Sequence, residues 1–398
     1  AIAFSASLIG FTLLIMLFSS RYYKGVQRSL DDIYGVLVLG LVGAVLMTSF
    51  GNMILLFLGI ETLSIALYVL AGSHKEAITS NEATLKYFLL GSFLSGFLLF
   101  GIALIYGASG SFNLDEIHNY IVKQNGQLPA LFQAGLYLLI AGLAFKIAIV
   151  PFHFWAPDVY EGPPTLLTAY MATVVKTASI MALFRFLSSV FSGIQAGEWQ
   201  MTIAVMAALT IILGNFTGIY QPNMKRMLAY SSISHSGYMM LAVVAFSEAT
   251  AGSLLLYAVS YSLATITSFG ILILIRETYG NAHFSSFNGF AKTNPVEAFC
   301  LTVAMLSLAG IPPLAGFMAK YYLFSTAIGS GFLWLVLIAI LGSAVSVVFY
   351  FKPVVAMYLK DHPGQHVHVT WPYRVSLILM TILMIILGIV PVVLTTLI

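Results

Sequence analysis

The sequence predicts an all-α protein, a polytopic bundle of membrane-spanning helices. Of its 398 residues, 60% are hydrophobic and only 8% are charged, whereas soluble proteins average about 45–50% and about 25%. The long apolar runs lack the polar and apolar alternation of transmembrane barrel strands. At roughly 20 residues for each crossing, the chain accommodates about a dozen helices and leaves no length for a sizeable soluble domain.

Apolar runs separated by charged residues, Gly, Pro and Asn predict twelve helices. Because the separating segments are short and polar, we expect successive helices to cross the membrane in alternating directions. The predicted helices lie at residues 1–20, 34–51, 53–72, 84–107, 130–151, 164–190, 200–220, 227–246, 251–276, 296–328, 332–352 and 373–397.

The distribution of Lys and Arg over the loops predicts the orientation, because basic residues accumulate in cytoplasmic loops. With twelve crossings, one side carries eleven of them, and the other carries only Lys123 and, near a helix end, Arg185. The richer side is therefore expected to face the cytoplasm, and both ends of the chain to face outward. The eleven are Arg21, Lys24, Arg28, Lys75, Lys225, Arg226, Arg276, Lys292, Lys352, Lys360 and Arg374.

The composition excludes several kinds of site. The single cysteine, Cys300, lies in an apolar run, so the chain forms neither an intrachain disulfide nor a four-cysteine iron–sulfur or zinc site. The net charge of +3 does not indicate nucleic-acid binding. No phosphate-binding loop, dinucleotide fingerprint or nucleophile motif occurs. His362, His366 and His368 share a loop whose only further metal ligand is Asp361, so we predict no metal site there.

The third predicted helix contains a carboxylate and the fourth contains a lysine. Glu61 lies at the centre of MILLFLGIETLSIALYVL, and carboxylates at this depth usually mark ion or proton pathways. A structural glutamate held by hydrogen bonds between helices is the alternative. Lys86 falls in the first turn of its predicted helix, so its side chain could also extend to the membrane interface.

Three further lysines, Lys146, Lys176 and Lys320, lie within apolar segments. A lysine at mid-bilayer costs about 2.5–3.5 kcal/mol on the insertion scale. Lys176 is central in LTAYMATVVKTASIMALF, and Lys320 follows LAGIPPLAGFMA well inside a long segment. Burial disfavours the charged form of a lysine, and a nearby carboxylate such as Glu61 restores it. Moving that carboxylate would therefore switch whether the lysine holds its proton.

Two of these lysines lie close to prolines. Lys146 precedes Pro151, and Lys320 follows Pro312 and Pro313. A proline interrupts the backbone hydrogen bonds, and at membrane depth the freed carbonyls need protein or water as partners. We therefore predict a broken helix and a hydrated cavity beside each lysine. The alternative is that the prolines only kink their helices for packing.

The two interrupted helices are the fifth and the tenth, so they cross the membrane in opposite directions. Paired interrupted segments of this kind are typical of inverted-topology repeats. We predict a single transmembrane domain, residues 1–398, with approximate inverted repeats at 53–246 and 251–397.

The eighth predicted helix carries a third polar cluster. In QPNMKRMLAYSSISHSGYMM, Lys225 and Arg226 open the helix and are expected at the interface, while His235 lies deeper among hydroxyl groups. His235 is therefore a candidate for extending a proton-conducting chain between the two lysine sites. A histidine that only satisfies a hydrogen bond between helices is the alternative.

Five long motifs resemble a known family over essentially the whole chain. They are GIETLSIALYVLAG, SNEATLKYFLLGSFLSGFLLFGIALIYGASGSFNL, FKIAIVPFHFWAPDVYEGPPTLLTAYMATVVK, MKRMLAYSSISHSGYMML and MLSLAGIPPLAGFMAKYYLF. In this order they resemble the antiporter-like membrane subunits of respiratory complex I, most closely the subunit N branch, whose mitochondrial counterpart is subunit 2. Family members carry two more helices, and the resemblance implies that these precede Ala1.

The resemblance assigns roles to residues that match the family's motifs. It implies that Glu61 is the key carboxylate and that Lys146, on the first broken helix, is its partner. Lys176 matches the lysine toward the central axis. Lys320 matches the position from which a proton exits or passes to a neighbouring subunit, and a lysine there fits the subunit N branch. Lys86 matches a further polar position.

The resemblance also implies a function: a proton-translocating membrane-arm subunit of an NADH-quinone oxidoreductase, with no redox centre of its own. Quinone reduction elsewhere in the complex would drive the relay, and FMN, iron–sulfur clusters and quinone would bind to other subunits. The expected partners are the other membrane-arm subunits, including antiporter-like paralogues, and the lipid bilayer of the bacterial inner membrane. Two alternatives remain, a subunit of a multisubunit sodium/proton antiporter and a structural membrane subunit with inactive lysines.

Overall fold

The computed structural model consists of α-helices joined by short segments. Its described part contains no β-strand, only two isolated bridges between single residues. The polytopic all-α class predicted from the sequence is therefore confirmed. Lys24, Arg28, Lys75 and His362 lie outside the described residues. The structure describes residues 1–22, 30–74, 76–194, 197–246, 248–361 and 366–395.

Each of the twelve predicted segments coincides with one helix or with consecutive helices. A π-helical turn, Met171–Val175, separates α8 from α9, and a 3-10 turn, Phe284–Phe287, precedes α13. The helices are α1 (Ile2–Tyr22), α2 (Leu30–Ser49), α3 (Met53–Ala71), α4 (Ile78–Ser109), α5 (Leu114–Lys123), α6 (Ala130–Ile147), α7 (Ala156–Glu161), α8 (Thr165–Tyr170), α9 (Lys176–Val190), α10 (Glu198–Ile219), α11 (Met224–Ala245), α12 (Glu248–Tyr279), α13 (Phe290–Thr293), α14 (Pro295–Ala309), α15 (Ala315–Gly329), α16 (Leu333–Leu359), α17 (Trp371–Ile389) and α18 (Val392–Thr395).

Ten segments of the described chain are long and apolar enough to cross a membrane. Two more complete the bundle. The more polar α11 has 22 residues, about 33 Å at about 1.5 Å per residue, and nearly all its side chains are buried against neighbouring helices. The shorter α14 continues beyond a break into α15.

The structure differs from the sequence prediction at several helix ends. The helix predicted at 84–107 begins at Ile78, so Lys86 lies beyond its first two turns. The last predicted crossing, 373–397, already ends at Ile389. The apolar pattern also misses α5, an amphipathic helix that is not a crossing and whose buried face consists of Leu114, Ile117 and Ile121.

The first and second halves of the chain share an order of elements. The side chain of Asn52 caps α3, and the side chain of Asn223 caps α11 in the same way. Asn52 forms a bridge with Asn113 beyond α4, and Asn223 forms one with His283 beyond α12. Both α4 and α12 are 32 residues long, and a broken helix follows each. The order of capped helix, long helix, bridge and broken helix therefore occurs twice.

A tight helix contact also occurs twice in this order. A Cβ on Gly43 of α2 would lie 2.6 Å from Leu63 N, and a Cβ on Gly214 of α10 would lie 2.7 Å from Ser234 N. Glycine thus lets each helix approach the backbone of the one that follows it. Gly43 and Gly214 are 171 residues apart, and so are Leu63 and Ser234.

Two glycines enclose the break between α14 and α15. A Cβ on Gly316 would lie 1.8 Å from Ser307 O, and a Cβ on Gly388 of α17 would lie 1.9 Å from Pro313 O. The amide of Gly316 also donates a hydrogen bond to Ser307 Oγ (3.1 Å). Backbone segments therefore meet at this break where only glycine leaves enough space.

Replacing Gly316 with Ala should destabilise the protein, because the added Cβ meets a backbone carbonyl that cannot move without shifting α14. Overpacking of this kind costs about 1–3 kcal/mol, and the thermal unfolding temperature of the purified protein should fall. Gly329→Ala in the same helix is the matched control, since its Cβ would meet nothing within 4 Å. Equal unfolding temperatures for the two variants would contradict this interpretation.

Candidate functional site

The first predicted broken helix is interrupted directly after Lys146. The helix α6 ends at Ile147, and Ala148 adopts a left-handed backbone conformation with φ of 59°. Pro151, within the gap before α7, has no amide hydrogen and cannot continue the helix. The break that the sequence predicts is therefore present.

Side chains bind backbone carbonyls around this break. Trp155 Nε1 donates a hydrogen bond to Phe145 O (3.0 Å), and Ser236 Oγ of α11 donates one to Ile147 O (2.7 Å). Carbonyls freed at membrane depth require such partners. The break thus ties the end of α6 to α11.

Glu61, Ser64 and Tyr68 lie on the face of α3 that is turned toward Lys146. Lys146 Nζ donates a hydrogen bond to Ser64 Oγ (2.7 Å) and lies 5.8 Å from the centre of the Tyr68 ring. Glu61 Oε1 is buried and has no hydrogen-bond partner among the described residues. Within the described chain no ion pair joins Glu61 to Lys146, although their charges interact through space. The serine hydroxyl is therefore the direct partner of this lysine.

Lys176 is the first residue of α9, directly after the π-helical turn. Such turns inside helices often occur at functional sites. Its Nζ donates hydrogen bonds to both Ser232 O and Ser232 Oγ of α11. Ser232 Oγ also lies 3.2 Å from Tyr160 OH. The lysine is thus held by neutral oxygen atoms of a neighbouring helix.

Ser236 connects the two lysine sites. Besides Ile147 O at the first break, its hydroxyl contacts Ser232 O (3.1 Å). Ser232 in turn binds Lys176, and Ile147 follows Lys146 in the chain. One turn of α11 therefore contacts both the broken end of α6 and the side chain of Lys176.

His235 uses both ring nitrogens in hydrogen bonds with tyrosines. Its Nδ1 lies 2.8 Å from Tyr257 OH, and its Nε2 lies 3.0 Å from Tyr350 OH. Tyr350 OH also pairs with Ser231 Oγ (2.5 Å). The structure therefore places the histidine inside a network of hydroxyl groups that joins α11, α12 and α16.

Lys320 binds the free end of the second broken helix. Its Nζ donates hydrogen bonds to Leu308 O (3.0 Å), Ala309 O (2.9 Å) and Ser343 Oγ (2.8 Å). A cation is favourable at the carboxyl end of a helix, where carbonyls carry partial negative charge. A small cavity between this break and His235 is lined by the hydroxyls of Tyr257, Ser260 and Ser307, among other groups.

Lys86 occupies a different environment from the other candidate lysines. Its side chain is 44% exposed and forms ion pairs with Glu82 (2.7 Å) and Asp158 (3.0 Å). Asp158 and Glu161, both on α7, also pair with Arg226 at 3.5 and 2.7 Å. These charges line an open polar pocket of about 420 Å³. The structure therefore brings Lys86 together with a surface charge cluster and not with the buried lysines.

The hydroxyl partners of the lysines are the main functional residues that the sequence does not single out. Ser64 follows Glu61 by three residues, the spacing that places two side chains on one face of a helix, and this spacing is the available signal. Ser232 belongs to the polar cluster of the eighth predicted helix, but no pattern assigns it to Lys176. Among the described residues, no three His, Cys, Asp or Glu side chains converge as metal ligands would.

A second buried carboxylate, Glu297, also escapes the sequence analysis because it lies in the first turn of α14 and reads as interfacial. It is fully buried, and its Oε1 accepts a hydrogen bond from Arg374 Nε (2.7 Å). Its Oε2 has no partner in the part of the chain that the structure describes. The ion pair fastens the first half of the second broken helix to α17.

The comparisons with known proteins agree with this geometry. Residues 51–346 match the family model described as "NADH:quinone oxidoreductase/Mrp antiporter, TM". The chain belongs to this family. Its fold and its two broken helices can therefore be compared with those of named relatives.

Two bacterial relatives match nearly the whole chain. NADH-quinone oxidoreductase subunit N of Flavobacterium psychrophilum is 43% identical over 391 residues, which are 98% of this chain and 85% of the relative. The protein of the same name from Cytophaga hutchinsonii is 42% identical over 393 residues, with 98% and 84% coverage. The family members most similar in sequence thus include proteins named subunit N.

Solved structures share the fold. A chain of respiratory complex I from Thermus thermophilus matches with a TM-score of 0.83 and 34% identity, covering 99% of this chain and 86% of that one. An archaeal membrane-bound sulfane sulfur reductase matches at 0.90 and 28% identity, with 99% and 80% coverage. The Mrp complex from Dietzia matches at 0.87, but its 20% identity over 99% and 82% of the chains shows the fold alone.

Replacing Arg374 with Ala should destabilise the family member studied here, because the buried charge of Glu297 loses its partner. Breaking a buried pair costs 3–5 kcal/mol, and since Arg374 is 33% exposed we expect about 3 kcal/mol. The measurement is the thermal unfolding temperature of the purified protein. Lys292→Ala, which breaks the exposed pair with Asp361, is the control and should change stability by at most about 1 kcal/mol. A similar effect of both variants would refute the structural role of Glu297.

Proposed function

We propose that this chain is a proton-translocating membrane-arm subunit of an NADH-quinone oxidoreductase. One observation carries the proposal: Lys146, Lys176 and Lys320 are each at most 6% exposed, and each binds a hydroxyl group of another helix. Ionisable groups are costly at membrane depth and mark ion or proton pathways. The relatives named subunit N support the same function.

In the proposed relay, Glu61 controls the charge of Lys146. An ionised carboxylate close to a buried lysine favours the ammonium form. When Glu61 is neutralised or moves away, the ammonium loses that stabilisation and Lys146 releases its proton. Because the two groups form no direct ion pair within the described chain, the hydroxyl of Ser64 orients Lys146 without fixing its charge.

The rest of the route passes from Lys146 to Lys176, through the His235 region, and then to Lys320. The contacts of Ser236 with both the end of α6 and Ser232 support the first step. Contacts of His235 with Tyr257 and Tyr350 supply hydroxyl groups for the second. Lys86, with its exposed ion pairs, contributes at the entrance from the charged pocket.

The energy for this transport comes from another part of the complex. Moving one proton outward against 100 mV costs about 2.3 kcal/mol, so the pairing and release of Glu61 and Lys146 must shift protonation by an amount of this order. Quinone reduction by other subunits supplies it in this proposal. FMN and iron–sulfur clusters also belong to those subunits, since the single cysteine of this chain does not fit a cluster site that needs four.

We infer the location and partners from the same relationship. The chain spans the bacterial plasma membrane beside the other membrane-arm subunits, including antiporter-like paralogues. The excess of basic residues on one side supports a cytoplasmic position for that side, with both ends of the chain outside. The antiporter alternative has less support, because the likeness to the Mrp complex extends to the fold alone.

We propose inverted repeats at residues 30–190 and 198–359. Each contains five crossings, and an odd number inverts the direction of the second repeat. The equivalent caps Asn52 and Asn223, the two bridges and the two glycine contacts support this assignment. It places α10 and α11 in the second repeat, whereas the boundaries 53–246 and 251–397 place them in the first.

Replacing Glu61 with Gln should sharply reduce proton pumping while the complex stays assembled, because an amide cannot supply the charge that favours the ammonium of Lys146. The measurement is proton uptake per NADH oxidised in vesicles that contain the purified complex. Glu116→Gln on the exposed side of α5 is the matched control and should pump normally. Unchanged pumping in Glu61→Gln would overturn the relay.

Replacing Lys176 with Arg should also impair pumping, because a guanidinium keeps its proton in proteins. Lys176 lies about 11 residues from the start of its continuous helical segment, roughly 16 Å at about 1.5 Å per residue, so it does not extend to the interface. Lys123→Arg on the surface helix α5 should have no effect in the same vesicle assay. Normal pumping by an assembled Lys176→Arg complex would leave only a structural charge at this position.

A further inference from the structure

The ammonium group of Lys176 is bound by one residue of the opposite half of the chain. Both the main-chain oxygen and the hydroxyl of Ser232 accept its hydrogen bonds. Ser236 holds the same main-chain oxygen from one turn away (3.1 Å), and Tyr160 OH holds the hydroxyl (3.2 Å). No acidic side chain of the described residues pairs with Lys176.

Ser232 occupies the position in α11 that Glu61 occupies in α3. The two capping asparagines, Asn52 and Asn223, are 171 residues apart, and Glu61 and Ser232 are separated by the same interval. The glycine contacts of α3 and α11 follow this interval independently. The two helices therefore present a carboxylate and a hydroxyl at equivalent positions, each close to a buried lysine.

We infer that Ser232 is the positioning residue that keeps Lys176 able to exchange its proton, by presenting a neutral acceptor where the first repeat presents a carboxylate. The inference rests on the proposed relay and adds a residue to it. Ser232 touches Lys176 only, so it acts through the lysine and is not itself a carrier.

The physical reason is the difference between orienting an ammonium group and neutralising it. Two neutral oxygens hold the amine of Lys176 in one place, whether or not it carries the extra proton. A carboxylate in direct contact would form an ion pair inside a medium of low dielectric constant, where attraction between opposite charges is strong. Such a pair would keep the proton on Lys176 and stop its exchange.

The decisive experiment compares Ser232→Asp with Ser232→Asn, two side chains of nearly equal size that differ in charge. In vesicles that contain the assembled complex, Ser232→Asp should lose proton pumping while NADH oxidation continues. Ser232→Asn should retain pumping, because its amide oxygen is a neutral acceptor. Equal pumping by the two variants, high or low, would overturn the inference, since charge would then make no difference.

A second pair of variants decides the matter if the larger side chains prevent assembly. Ser232→Thr keeps the hydroxyl and should pump as the unmodified complex does, whereas Ser232→Ala removes one of the two acceptors and should pump less. Ser179→Ala is the matched control, because this buried hydroxyl of the same size donates to Val175 O and not to a lysine. Normal pumping in Ser232→Ala, or a loss shared equally with Ser179→Ala, would contradict the positioning role.

These results are distinguishable from a failure of the relay itself. If Glu61→Gln pumps normally, the proposed function fails whatever the Ser232 variants do. If Glu61→Gln loses pumping and all assembled Ser232 variants pump normally, only the role of Ser232 is wrong.

Discussion

An ammonium group persists inside an apolar helix bundle only where oxygen atoms of neighbouring helices accept its hydrogen bonds. The three buried lysines of this chain meet that requirement with few charges nearby. Lys146 binds the hydroxyl of Ser64, Lys176 binds two oxygens of Ser232, and Lys320 binds two free carbonyls and a serine. Neutral acceptors stabilise the charged form without locking it, which is the condition a proton carrier must satisfy.

The interruptions of the helices follow from the same requirement. An intact helix uses its carbonyls internally, so it offers nothing to a lysine. The break after Ala309 releases carbonyls that Lys320 binds directly, and the break after Ile147 releases one that Ser236 binds. Gly316 then lets the second half of the broken helix approach closely. Broken helices are therefore part of how this bundle accommodates charge, and they cost less than unsatisfied groups would.

The fold was largely predictable from the sequence because its determinants are local. Long apolar runs specify the crossings, and prolines near Lys146 and Lys320 specify the breaks. The partners of the lysines were not predictable, because they depend on which helices pack together. Ser232 and Lys176 are 56 residues apart, and no periodicity connects them. The exposed position of Lys86 was missed for a similar reason, since its partner Asp158 lies on a short helix that forms only after the first break.

The proposed repeats explain how one scaffold treats two lysines differently. The interval of 171 residues that relates Glu61 to Ser232 also relates Ser64 to His235. In the first repeat the face that meets Lys146 carries a carboxylate and a serine, and in the second repeat the same positions carry a serine and a histidine. A proton moving from Lys146 to Lys176 thus leaves a site governed by a nearby charge for one governed by neutral oxygens. Because these environments differ, a change in the position or charge of Glu61 acts mainly on Lys146 and so biases the direction of transfer.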